Sequence, residues 1–164
     1  MNNTNVTAYQ PNLDSLRADL HHLLCVFEAS ESIHRKIQDE HNYAKKHLAF
    51  ENLENDAITK LLLSTAITLR ILDDREKYKL NMFSTYCGYL QVDSESIGLT
   101  LREACNKIVH ASDIEMARNM VTPEVRYLFP EIYLSGEKDK KKWLATINIY
   151  EYVREGMLGI ESIK

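Results

Sequence analysis

The sequence predicts an all-α fold, an α-helical bundle of about four helices with a small C-terminal β-hairpin. Glycine (5) and proline (3) are scarce among 164 residues, and neither breaker occurs between Pro11 and Gly88. A stretch of that length without them favours helix over a many-stranded sheet. Apolar residues then recur at helical spacing through two long runs, and two capping patterns mark later helix starts.

Residues 1–11 are polar and predict a disordered leader, with a single domain from 12 to 164. Leu13, Leu16, Leu20, Leu23, Leu24 and Phe27 share one face, and Ile33 and Ile37 extend it, so the first helix runs to about Gln38. Asn12 or Asp14 can cap its start. Phe50, Leu53, Ala57, Ile58, Leu61, Leu62, Thr65, Leu69 and Leu72 give the longest helix, ending at Asp73-Asp74-Arg75-Glu76. Residues 77–98, with Gly88 and Gly98, read as a loop with one short helix at most. Thr100-Leu101-Arg102-Glu103 has the capping-box pattern, and Leu101, Ala104, Cys105 and Ile108 form an apolar face behind it. Periodicity fades after Asp113, and Pro123 and Pro130 bracket an irregular stretch. Residues 131–135 and 143–147 are β-prone and flank the polar turn 136–142, a hairpin signal over about 131–147. Asn148 and Glu151 open a last helix, about 149–158, that Gly159 can end.

The bulk numbers restrict the function classes. Three cysteines without tight spacing argue against a disulfide framework and for a reducing compartment. No apolar run has the length of a signal peptide or a membrane span, so a soluble, cytoplasmic protein is expected. A net charge of −4 gives no global support for nucleic-acid binding, which would need a local cluster of cations. P-loop, GxGxxG and GxSxG motifs are absent.

Chemistry concentrates on the third helix. Arg102, Asn106 and His110 are spaced i, i+4, i+8 and form a polar stripe beside the apolar face. Arginine offers a permanent charge with forked donors for phosphate, and histidine moves protons near neutrality. Asparagine can hold an imidazole or a substrate oxygen. Such a set suits metal-free work on a phosphodiester; amphipathic helices also carry polar borders with no site behind them.

The string LREACNKIVHA, Leu101 to Ala111, resembles the signature helix of HEPN domains (higher eukaryotes and prokaryotes nucleotide-binding), whose usual form is Arg-Asn, three residues, His. Asn106 and His110 match that form, while Cys105 stands where the family arginine falls. The resemblance implies a helical bundle, a homodimer with two motif helices lining one cleft, and no cofactor. It implies either of two roles in a bacterial-type stress, toxin–antitoxin or phage-defence setting. One is a non-catalytic module that binds RNA or a protein partner such as an antitoxin. The other is a metal-independent endoribonuclease using His110 as acid/base, Asn106 to orient it and Arg102, one turn before Cys105, to hold phosphate.

Other groupings point to structure rather than chemistry. Glu31 and His34 have the Glu-x-x-His spacing of di-iron bundles but no second copy, and read as surface residues. His21, His22 and Cys25 lack the further ligands of a zinc site, and His34, His41 and His47 follow no ligand spacing. Cys105 and His110 point about 140° apart on one helix, which favours a buried thiol over a nucleophile–base pair. Lys138, Lys140, Lys141 and Lys142 read first as a solvated turn and second as a phosphate-contacting finger near Trp143 and Tyr133.

Overall fold

A computed structural model describes residues 10–38, 43–76, 85–122 and 125–163. The 1–9 part of the predicted leader and His41 lie outside the described residues. Asn12 caps the first helix, α1 (Leu13–Ile37), its side chain accepting from the backbone N–H of Asp14 and Ser15 at 2.9 and 3.1 Å. The second helix, α2 (Tyr43–Arg75), packs along α1. Strands β1 (Tyr86–Val92) and β2 (Glu95–Thr100) follow, then helix α3 (Leu101–His110). Strands β3 (Asp113–Thr122), β4 (Val125–Lys138) and β5 (Lys141–Asn148) lead into the last helix, α4 (Ile149–Glu161).

The fold is therefore α+β, and the expected helical bundle with a small hairpin is corrected. All five strands join one antiparallel sheet in the order β2-β1-β5-β4-β3. One apolar core runs from Leu16 on α1 to Ile160 on α4 and takes Cys87, Leu90, Leu99, Ile132, Leu134, Trp143, Ala145 and Ile147 from the strands. Tyr86, Tyr89, Tyr133 and Leu144 point the other way and are exposed, so the helices cover one face of the sheet. Between the two edge strands runs α3, in contact with β1, β2, β4 and β5. Ten residues of helix span about 15 Å, close to the roughly 19 Å width of five strands, so α3 crosses most of that face.

The strands missed in the sequence have specific causes. Part of the expected loop over 77–98 is the β1–β2 hairpin, and its glycines sit inside strands rather than between them. The irregular stretch after Asp113 is β3 with most of β4. Bulges between Met116 and Arg118 and between Met120 and Thr122 break the two-residue alternation by which a strand is recognised. Pro130 lies between the pairs Arg118–Leu128 and Met116–Ile132, where one residue of β3 faces three of β4 and no ladder donor is required. The predicted seven-residue turn is shorter too. Pairing continues to Lys138–Lys141, and Asp139 and Lys140 both take positive φ (53° and 65°), the primed turn that suits a two-residue hairpin. Among the described residues no helix is long and apolar enough to cross a membrane.

Candidate functional site

Helix α3 starts where Thr100 accepts from the Glu103 N–H at 3.3 Å, and it buries Leu101, Ala104, Cys105 and Ile108. Its polar residues divide between two neighbours. Arg102 turns toward the end of α2, where Nη1 donates to Asp73 and Nη2 donates to Asp74 at 2.8 Å. Those bonds, Asp74 first, hold its pKa above the ordinary arginine value despite partial burial. Asp73 is fully buried, which makes Arg102 a clamp between α2 and α3.

Asn106 and His110 turn toward the β4–β5 hairpin. With Glu103 and Lys107 of α3 and with Glu137, Lys138 and Trp143 of the hairpin, they line a pocket of about 500 Å³. Trp143 forms a wall, with the Lys107 Nζ 4.4 Å from its ring centroid. Burial lowers the Lys107 pKa, Glu103 opposes the shift, and the like charge of Lys138 adds to it. Lys107 and His110 also sit in the last turn of α3, where cations complement the helix dipole.

The structure thus joins Asn106 and His110 at one pocket and directs Arg102 elsewhere. The sequence reading gave neither Lys107 nor Glu103 a part in the site and named Glu103 only in the capping box. Lys138 and Trp143 carried a signal in the basic finger, and the hairpin register brings them to α3. Tyr133, named with them, faces the opposite side of the sheet and is exposed.

Cys105 lies in the core with Sγ 3.9 Å from the Tyr152 hydroxyl, and burial pushes its thiol up to about 12. A guanidinium at this position would enter the core, so the fold leaves no place there for the arginine of the signature helix that this segment resembles. Cys87 is likewise buried and raised to about 12, whereas Cys25 is exposed. In native protein at neutral pH a disulfide reagent that reads free thiols should therefore count one fast thiol, and Cys25→Ser should abolish it. A second fast thiol assigned to Cys105 would contradict its burial.

His34 corrects a further expectation: it is fully buried rather than on the surface, while Glu31 pairs with Arg35 at 2.7 Å. The His34 and His47 rings meet with their Nδ1 atoms 2.8 Å apart. His21 lies 3.7 Å from the Cys25 sulfur, and among the described residues no three His, Cys, Asp or Glu side chains converge as a metal site would require. Comparison of the chain with protein-family models, with curated proteins and with solved structures finds no match to any of them.

Proposed function

We propose that the protein binds single-stranded RNA through the α3–hairpin pocket and does not cut it. The observation that carries this reading is the approach of two like charges, Lys107 and Lys138, beside Asn106 and His110 in one pocket. A phosphate can accept from both ammonium groups, with Glu103 and Glu137 at the same pocket wall, and the carboxamide and imidazole supply directional donors. Lys140, Lys141 and Lys142 continue the positive charge along the hairpin tip, giving the local cation cluster that a chain of net charge −4 needs. The Asn106–His110 part of the HEPN-like motif agrees with a phosphodiester ligand.

Cleavage without metal asks for a base, an acid and a fixed positive charge around one phosphodiester. The arginine expected to hold the phosphate, Arg102, is instead committed to Asp73 and Asp74, and this displacement favours binding over cleavage. Anisotropy of a labelled single-stranded RNA, titrated between about 50 and 200 mM salt, tests it. In the Lys107→Gln/Lys138→Gln double variant the slope of log affinity against log salt should flatten by about 1.4, the loss of two single-strand phosphate contacts. An unchanged slope, or no binding by the wild type, would retire the proposal. RNA cleavage in EDTA by the wild type and not by His110→Ala would replace it with the ribonuclease reading.

A further inference from the structure

Away from the α3 pocket, a buried polar cluster joins the helices to the far end of β3 and β4. Helix α1 contributes His34, helix α2 His47, Glu51, Glu54 and Asn55, β3 Arg118 and β4 Arg126. His34 is fully buried, and His47, Glu51 and Glu54 are 8%, 6% and 8% exposed. His34 Nε2 lies 3.2 Å from Glu54, and His47 Nε2 lies 3.0 Å from Glu51. Arg118 donates to Glu54 at 2.8 Å and to Asn55 at 2.9 Å, and Arg126 donates to Glu51 at 2.9 Å. Beside them the Leu128 N–H donates to the buried Ser30 hydroxyl at 3.0 Å.

The hydrogens of this cluster can be counted. A carboxylate oxygen only accepts, so a bare ring nitrogen 3 Å from one would set lone pair against lone pair. His34 Nε2, in hydrogen-bond contact with Glu54 at 3.3 Å, therefore carries a hydrogen. The two Nδ1 atoms at 2.8 Å form a hydrogen bond only if one hydrogen lies between them, whichever ring owns it. The closed pair thus needs two hydrogens, one on His34 Nε2 and one shared, and has room for a third on His47 Nε2 beside Glu51. A fourth would set two N–H groups against each other at hydrogen-bond distance and place a second imidazolium among Arg118 and Arg126.

We propose that the His34–His47 pair is an acid-sensitive latch that fastens β3 and β4 to α1 and α2 and releases them when a second proton enters. The competing charges agree. Burial lowers the His47 pKa, His34, Arg126 and Arg118 add to the effect, and only Glu51 opposes it. The open form, with a histidine near the ordinary 6.5, binds more protons than the closed form. Closure is complete above that pH and is lost as pH falls below it. Arg118 and Arg126 make the release local, because they tie this end of the hairpin to the two glutamates that the histidines also hold.

Amide hydrogen exchange, corrected for its intrinsic pH dependence, tests the latch in the full chain. Opening over residues 118–122 and 125–128 should rise by up to about tenfold per pH unit below 6.5. The β1–β5 amides and the Trp143 fluorescence should stay unchanged over the same range. His47→Gln keeps an acceptor for His34 and a donor for Glu51, and its exchange should lose the pH response. Should that variant fail to fold, ring-nitrogen NMR of the wild type decides, because the shared Nδ1–H resonance must be present at neutral pH and vanish on acidification. Exchange that rises uniformly along the chain, a pH response retained in His47→Gln, or two rings without a shared hydrogen would overturn the latch.

Discussion

An Arg102→Ala variant should lose about 3 kcal/mol of stability, in urea unfolding, and still bind RNA as the wild type does. The reason is the partner left behind. Asp73 has no exposure, and its Oδ1 already lacks a hydrogen-bond partner among the described residues. Taking away the guanidinium strands a buried carboxylate, the case in which breaking an ion pair costs about 3–5 kcal/mol. The contact with Asp74 adds little, since that side chain is 53% exposed and screened by water. Arg102→Lys should recover part of the loss, because an ammonium restores the charge without the fork that spans both aspartates. Adding Asp73→Asn to Arg102→Ala should recover more, by removing the stranded charge. If Arg102→Ala instead keeps its stability and loses RNA affinity tenfold, Arg102 is a phosphate ligand and the site boundary drawn at Asn106 is wrong.

The separation of Arg102 from Asn106 and His110 has a plain geometric origin. Residues four apart on a helix differ by about 40° in direction, but eight apart they differ by about 80° and lie about 12 Å apart along the axis. A stripe written as i, i+4, i+8 therefore winds around the helix, and its first and last members can face different neighbours. Asn106 and His110, one step apart, stay together. The sequence carried the helices because their signals are local: Asn12, Thr100 and Asn148 each cap the helix that begins beside them. Strands draw their stability from partners elsewhere in the chain, and the bulges of β3 erased even the alternation. Lys138 could be placed beside Lys107 only once the hairpin register was known. His34 and His47 stand 13 residues apart on different helices, and nothing in their spacing foretells a shared hydrogen.

Gly88 turns this point about strands into a measurement. Read along the sequence it marks a break, yet it sits in β1 just after a bulge at Tyr86, opposite the backbone of β5. A Cβ on Gly88 would come within 1.9 Å of the Thr146 carbonyl oxygen and 3.0 Å of the Ile147 Cα. Those are backbone atoms of the central strand, held by β1 on one side and β4 on the other, and they cannot retreat without opening a ladder. Gly88→Ala should therefore cost about 3 kcal/mol, the upper end of overpacking. Gly98→Ala is the control. Its nearest neighbour is the Tyr86 ring at 2.6 Å, a side chain 63% exposed and free to swing outward, so the loss there should stay below about 1 kcal/mol. A second readout comes from Cys87, the residue before Gly88, whose buried thiol should become reactive as β1 lifts from β5 in Gly88→Ala and stay silent in Gly98→Ala. Equal stability of the two variants, with Cys87 silent in both, would mean that β1 does not approach β5 as closely as the structure places it.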